Sequence, residues 1–206
     1  MKKNAGYIAA GVTLMIVLTM GSVCDKEYQK QQQVQQQLAE KVLRFHVLAN
    51  SDVQEDQELK LAVRDAIGGY MKERMNGVSS KEVCQDIVAE EIPRIEQVAH
   101  AVIEREGYDY SVEAKLTTCD FPEKSYGEYT FPAGSYDALR VTIGEGEGKN
   151  WWCVMYPNMC FANSMYEIVD ETSEKALRAV LDEEEYEAVL KSGDYEVRFW
   201  LLELFK

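Results

Sequence analysis

The spacing of apolar residues changes from a helical to a strand period at Gly107, and this change constrains the fold most. Before Gly107, apolar residues recur every three or four positions, as they do on the buried face of an amphipathic helix. After it, apolar and polar residues alternate, as they do in a strand with one buried face. The helical positions are Leu59, Ala62, Val63, Ala66, Ile67 and Tyr70, then Val83, Ile87, Val88, Ile92, Ile95, Val98 and Val102; the alternating ones are Tyr108, Tyr110, Val112, Ala114 and Leu116.

The order of the predicted elements is that of an α+β protein. One strand precedes two helices, and several strands and a further helix follow them. Ser79 or Ser80 begins the second helix, which Pro93 is expected to kink or split. We therefore expect an α+β domain built on a mostly antiparallel sheet, with two to three packed helices. The predicted strands are 43–48, 108–116, 126–131, 138–143 and 151–156, the third helix spans 174–190, and 195–201 is a strand or part of a helix.

Residues 1–24 have the layout of a signal peptide or a membrane anchor. Lys2 and Lys3 are the only charged residues in this segment, and an apolar run from Tyr7 to Met20 follows them. A cleaved secretory signal has this layout, and an uncleaved anchor is the alternative because the run approaches the length that spans a bilayer. In both cases the two lysines predict that the rest of the chain lies outside the cytoplasm.

The remainder of the chain divides into a short polar segment and one domain. Residues 25–40 contain seven glutamines between Gln29 and Gln37, a composition that favours a Gln-rich tether or a frayed helix over core. Residues 41–206 then form a single domain, since their length and the 46% hydrophobic content of the chain are sufficient for one core.

Composition and motifs argue against several classes of function. With 22 basic and 36 acidic residues, the chain has a net charge of −14 and is not expected to bind nucleic acid. His46 and His100 are the only histidines, which leaves little from which to build a metal site. The glycine-rich run 144–148 is interpreted as a hairpin turn, because its two glutamates would repel a phosphate. We expect no metal, no cofactor and no small-molecule substrate.

Four cysteines follow the N-terminal segment, and an exported domain can join them as disulfides. They permit three sets of pairings, among which the sequence does not choose. Cys153 and Cys160 would close the shortest loop, so we favour that bridge; free buried thiols are the alternative. All four are Cys84, Cys119, Cys153 and Cys160.

Two adjacent tryptophans are the most distinctive aromatic feature. Trp151 and Trp152 lie in a predicted strand, so they face opposite sides of the sheet. One ring can enter the core, and the other is a candidate contact anchor if no helix covers its side, because tryptophan is common in protein interfaces. The alternative is that both sides are covered. The apolar loop from Pro157 to Phe161 could also meet a partner protein.

Two blocks of the chain closely resemble the stage II sporulation protein R family. Together they cover roughly residues 41–163 in the expected order, and they depart from the family at Ser135, where an acidic residue is usual, and at Asn158, where a second proline is common. The first block is Arg44-Phe45-His46-Val47-Leu48-Ala49-Asn50-Ser51-Asp52 with Asp56-Gln57, Leu59-Lys60 and Val63-Arg64-Asp65; the second is Pro132-Ala133-Gly134, Tyr136, Ala138-Leu139-Arg140-Val141, Ile143-Gly144, Gly146, Gly148 and Asn150-Trp151-Trp152-Cys153-Val154, continued by Pro157 and Cys160-Phe161.

This resemblance implies a secreted intercellular signal of endospore formation and not an enzyme. Such a protein is made in the forespore and exported into the intermembrane space between forespore and mother cell. There it triggers a membrane-embedded aspartic protease of the mother cell, and the protease matures a precursor sigma factor. The protease is therefore the expected partner, and the membrane is expected to contact this chain only through its N-terminal segment.

We expect the contacts with this partner at the first strand–helix junction, at the tryptophan pair and in the following loop. Ser51 or Asp52 is also placed to cap the next helix, so part of this set has a structural interpretation. An exported hydrolase that uses His46 with Asp52 or Asp56 as acid and base is one alternative, and an envelope-binding module is another. The candidate contact residues are His46, Asn50, Asp52, Gln57, Lys60, Arg64, Trp151, Trp152, Pro157 and Phe161.

Overall fold

A computed structural model of the chain describes residues 32–159 and 171–191, together with 15, 19–22, 25 and 28–30. It has the predicted α+β character, with helices and strands in the expected order. No helix within this part of the chain is both long and apolar enough to cross a bilayer. The elements are α1 (32–41), β1 (Leu43–Leu48), α2 (Gln54–Arg74), α3 (Lys81–Arg105), β2 (Val112–Phe121), β3 (Lys124–Tyr126), β4 (Tyr129–Phe131), β5 (Gly134–Ile143), β6 (Asn150–Tyr156), α4 (Glu171–Val180) and α5 (Glu183–Lys191).

The main sheet has four strands in the order β2-β5-β1-β6 and is mixed. The outer pairs, β2 with β5 and β1 with β6, are antiparallel as predicted, but the central pair of β1 and β5 is parallel. The reason is the long connection through α2, α3 and β2, which returns the chain to the end of the sheet where β1 began. Strands β3 and β4 form a separate two-stranded hairpin. The single strand predicted over 126–131 is therefore wrong, because Gly127 and Glu128 form the turn of this hairpin.

Each face of the main sheet is covered by a different set of elements. On the first, called here the helical face, Phe45 and Val47 of β1 pack with apolar residues of α2 and α3. On the other, called the second face, Ala138 and Val154 pack with residues of α1, β4, α4 and α5. Because side chains alternate along a strand, Arg44 and His46 of β1 point to the second face.

Five helices among the described residues replace the two to three expected. Helix α3 runs through Pro93 without a break; its fully buried Val88 and Ile95 anchor it on both sides of the proline, and such packing outweighs a lost hydrogen bond. The predicted helix 174–190 is instead two helices. The Asp182 amide donates to Glu185 Oε2 (2.8 Å) and the Glu185 amide to Asp182 Oδ1 (3.0 Å), which is a capping box that begins α5.

The last part of the glutamine-rich segment is a packed helix. Val34 and Leu38 of α1 are buried in the second-face cluster, since they are one helical turn apart and share an apolar side. The boundaries predicted for the three segments stay predictions. The N-terminal signal or anchor falls almost entirely outside the described residues, and the expected element at 195–201 lies outside them.

Candidate functional site

The turn after β1 and the loop between β5 and β6 are joined by hydrogen bonds into one unit, called here the junction (49–53 with 144–149). The Gly148 amide donates to the Ala49 carbonyl (2.9 Å) and the Glu147 amide to the Asn50 carbonyl (3.1 Å). Side chains add to these bonds: the Glu145 amide donates to Asn50 Oδ1 (3.1 Å). The two sequence blocks singled out above therefore meet at the junction.

Two glycines permit this close approach. A Cβ atom at Gly144 would lie 2.2 Å from Asn50 Oδ1, and one at Gly148 would lie 2.2 Å from the Ser51 carbonyl oxygen. Gly144 also has φ +56°, a left-handed conformation that favours glycine. The run 144–148 is thus a turn between two strands, as predicted, and its glycines let it lie against β1.

A buried carboxylate organises the first turn of α2. Asp56, which is 3% exposed, accepts hydrogen bonds from Asn50 Nδ2 (2.9 Å) and Ser51 Oγ (2.6 Å). Burial alone would raise the pKa of Asp56, but the hydrogen bonds from Ser51, Asn50 and Tyr110 outweigh it and hold the pKa below its usual range. The carboxylate is therefore a charged structural anchor.

The predicted cap of α2 is wrong. Val53 is the N-cap residue, and no side chain caps the helix. Asp52 Oδ1 instead accepts a hydrogen bond from the Lys149 amide (2.7 Å), and Ser51 donates to Asp56. Both side chains connect the turn to its surroundings because these nonlocal donors and acceptors lie within reach once the loop has folded onto β1.

Lys60 and Gln57 extend this network along α2. Lys60 Nζ donates to the Lys149 carbonyl (3.0 Å) and to Gln57 Oε1 (2.6 Å). Gln57 Nε2 donates to the Ser51 carbonyl (2.9 Å). Burial and the nearby Arg64 guanidinium lower the pKa of Lys60, whereas Asp52 opposes this shift. Both side chains therefore hold the junction together.

The two tryptophans face opposite sides of the sheet, as predicted. The Trp151 ring meets Phe45 edge to face (5.5 Å between centroids), and the guanidinium of Arg64 lies 5.0 Å from its centroid. The Trp152 ring stacks on His46, with centroids 4.9 Å apart and planes 5° from parallel. Both rings are half-buried, so each is held by the protein and still offers part of its surface. Arg64 also pairs with its neighbour Asp65.

His46 lies on the second face, away from the carboxylates of the hydrolase alternative. Its Nε2 atom is 3.3 Å from Cys119 Sγ, and it is 4% exposed. Burial, then the charges of Arg140 and Arg44, lower the pKa of His46 to about 4. No described contact joins it to Asp52 or Asp56, which are hydrogen-bonded within the junction. The structure therefore does not assemble the proposed acid–base pair.

Cys119 was not among the predicted site residues. Its thiol is free, and burial raises its pKa, so its contact with His46 joins two neutral groups. The only signal in the sequence was the position of Cys119 at the alternating spacing of β2. Such spacing indicates the face of the sheet on which the side chain lies, but not the residue that it contacts. Among the described residues, no group of three histidine, cysteine or acidic side chains could hold a metal ion.

Pro157 lies at the far end of β6 from the junction. Strand β6 spans Asn150–Tyr156, so Pro157 is roughly 20 Å along the strand from the junction loop. It follows a cis peptide bond with Tyr156. Cys153 is disulfide-bonded and Cys84 is free. The predicted partner Cys160 lies outside the described residues, as does Phe161, and the pairing stays a prediction.

Most of the chain is similar in sequence to one family of known proteins. The model of a family described as stage II sporulation protein R matches residues 39–166, a stretch that contains β1, the junction and β6. The stage II sporulation protein R of Bacillus subtilis (strain 168) is 31% identical over 184 residues, which cover 81% of this chain and 80% of that protein. No solved structure matches the chain.

Proposed function

The chain belongs to the stage II sporulation protein R family, and from this premise we propose that it is a secreted signalling protein of endospore formation. A role in sporulation follows from the family itself. The proposed action is to activate a membrane-embedded aspartic protease of the mother cell, which then matures a precursor sigma factor. Protein binding, and no chemical step on a substrate, is the proposed means.

The junction is the observation that carries this proposal. Asn50, Asp52, Gln57 and Lys60 direct their polar atoms to backbone groups, to the Asp56 carboxylate or to one another. Side chains that act in catalysis need a free acid, base or nucleophile facing a substrate. Here they stiffen one end of the sheet, which is the property required of a surface that a receptor recognises.

The N-terminal segment supports the proposed location. Its two lysines and apolar run favour export of the domain. We propose that the domain acts in the intermembrane space between forespore and mother cell, where it would meet the extracytoplasmic side of the protease. Binding the active state of the protease more tightly than the inactive one would suffice to activate it.

The Trp151 ring, next to the junction on β6, is the proposed receptor contact, and Arg64, which is 6% exposed, is its buried support. The ring is half-buried and fixed by Phe45 beneath it and by the guanidinium of Arg64 beside it. Fixed aromatic rings next to arginine are common anchors of protein interfaces, because little side-chain freedom is lost on binding.

Reconstitution of the protease in vesicles with its precursor substrate tests the proposal. Added full-length protein should raise the rate of precursor cleavage, and Trp151→Ala should need about thirtyfold more protein for half-maximal activation. Val83→Ala, at an exposed site on α3, is the control and should behave like the wild type. Absence of activation at every concentration would refute the proposal, and retention by cell-wall material instead would favour an envelope-binding module.

A further inference from the structure

A row of four side chains crosses the second face of the main sheet and includes two cations. Strand register places Lys115 beside Arg140, Arg140 beside His46, and His46 beside Trp152. The next row towards the junction contains Glu113, Thr142, Leu48 and Asn150. We call the surface formed by Lys115, Arg140, Thr142, Asn150 and Trp152 the cationic row surface.

The apolar cluster on the second face reaches the row of Arg140 on one side only. The Phe121 ring lies 4.6 Å from that of Trp152 and 5.2 Å from that of His46, whereas Tyr136, Ala138 and Val154 lie beyond the row. Residues of the cationic row surface are half-buried, so they remain partly accessible in the described part of the chain. In these two rows, His46 and Leu48 are buried.

Arg140 is a cation whose side chain has no counter-ion among the described residues. That side chain makes no hydrogen bond or ion pair with any of them, and its Nε atom is buried without a partner. Its neighbour across the strands, Lys115, has the same charge, and like charges directly opposite are unfavourable. Lys115 pairs with Glu113 (3.0 Å), but this leaves Arg140 uncompensated in a chain with 36 acidic residues.

Unpaired polar atoms concentrate at the same place. Two buried polar side-chain atoms on these rows, Arg140 Nε and Thr142 Oγ1, have no partner among the described residues. His46 Nδ1 and Asn150 Oδ1 also lack an ideal hydrogen bond, but the side chain of Asn150 interacts with that of His46 and raises its pKa. Buried polar groups are normally hydrogen-bonded, because an unpaired one costs free energy. A cluster of such atoms around an unpaired guanidinium is typical of a surface that another molecule completes.

We propose that the cationic row surface binds an acidic segment of a partner protein, with a carboxylate against Arg140 and Lys115 and an apolar side chain against Trp152. Neighbouring strands are about 4.8 Å apart, so one carboxylate can reach both cations. Trp152 lies two strands from Arg140, and the exposed part of its ring suits an aliphatic or aromatic neighbour. This surface borders the junction, since Gly146 lies against Thr142, but shares no residue with it. The inference does not depend on the identity of the receptor.

Titration calorimetry with the full chain and a blocked peptide, acetyl-Phe-Ala-Glu-Ala-Glu-amide, tests this site. The wild type should bind the peptide, and Arg140→Gln should bind it at least about tenfold more weakly, because a charge-assisted bond is lost. The same peptide with Gln in place of both Glu residues should bind the wild type as weakly as the acidic peptide binds Arg140→Gln. Arg94→Gln removes an equal charge from an exposed site on α3 and should leave binding unchanged.

A second variant gives an effect of opposite sign. Glu113→Gln frees Lys115 from its ion pair, so the variant should bind the acidic peptide more tightly than the wild type. Far-UV circular dichroism and unfolding midpoints establish that each variant is folded. Equal binding by wild type and Arg140→Gln, or weaker binding by Glu113→Gln, would overturn the proposal.

Two further measurements distinguish the proposed acidic segment from other ligands of the cationic row surface. Inorganic phosphate that competes as well as the peptide would mark a general oxyanion site and overturn the assignment to an acidic segment. The chain's own tail also carries Asp194, Glu196 and Glu203. If the peptide binds only after these three are changed to Asn, Gln and Gln, the tail is the occupant and the partner assignment is wrong.

Discussion

The two faces of β1 bury their side chains in different ways. On the helical face, Phe45 and Val47 are fully buried among apolar residues of α2 and α3. On the second face, Arg44 and His46 are buried just as fully, although both are polar. The first face derives stability from apolar area removed from water, whereas the second holds polar groups that burial alone would disfavour.

Aromatic rings and two hydrogen bonds compensate Arg44. Its guanidinium carbon lies 4.4 Å from the centroid of Phe121 and 5.1 Å from that of Tyr136. Nε donates to the Cys153 carbonyl (3.0 Å) and Nη2 to the Tyr126 hydroxyl (3.1 Å). No carboxylate within the described chain pairs with it, and burial lowers its pKa. A buried cation can thus be held by ring faces and a backbone carbonyl.

Among the variants that test this comparison of the two faces, Phe45→Ala should have the largest effect on stability. It removes a fully buried ring from the helical face and should lower the free energy of unfolding by about 4 kcal/mol, through lost apolar burial and a cavity. Denaturant titration measures the loss. Val83→Ala, at an exposed site, should change stability by less than about 0.5 kcal/mol.

Arg44→Ala should cost about 3 kcal/mol, because it leaves a cavity between aromatic rings and a carbonyl without its donor. Arg44→Met fills most of that space and should cost only about 1 kcal/mol, since it also removes a buried charge. The same denaturant titration compares the two. If Met costs as much as Ala, the charge and not the volume is what the second face needs.

The pH dependence of the free energy of unfolding should arise from the second face, through His46. Because the pKa of His46 is lowered to about 4, the folded state keeps this side chain neutral while the unfolded state protonates below about pH 6.5. The contribution of neutral His46 to the free energy of unfolding is therefore complete above pH 6.5 and is lost as the pH falls towards 4. Between pH 7 and 5 the loss should be about 2 kcal/mol.

His46→Gln supplies the control for that measurement. In His46→Gln, the free energy of unfolding should no longer show the part of its fall between pH 7 and 5 that is due to His46. Phe45→Ala should still show it. Asp56 titrates below this window because its pKa is lowered. An unchanged slope in His46→Gln would assign the pH dependence to another group.

Gly148→Ala should lower stability at the junction, where the turn after β1 meets the loop between β5 and β6. The new Cβ would press on the Ser51 carbonyl, and the shift needed to relieve it should cost about 1.5 kcal/mol. Gly69→Ala, in the middle of α2 with nothing near its Cβ, should instead stabilise by about 0.5 kcal/mol. Thermal unfolding of both variants decides whether close approach at the junction matters.

Local patterns predicted the parts of the site that depend on neighbours in sequence. The predicted strand 151–156 placed Trp151 and Trp152 on opposite faces, and Ser80 caps α3 by accepting from the Val83 amide. The same reasoning failed at Asp52, which bonds to Lys149 and not to its own helix. A side-chain oxygen caps its own helix only if no donor from a distant part of the sequence binds that oxygen instead.

The sequence by itself determined the kinds and order of the longer elements and which residues share a face of a strand, because these follow from side-chain period and local turn chemistry. Only the tertiary structure decided that β1 runs parallel to β5, and hence that His46 lies between Arg140 and Trp152. Strand pairing joins residues about a hundred positions apart through chain closure and shared burial, and no short stretch of sequence carries that information.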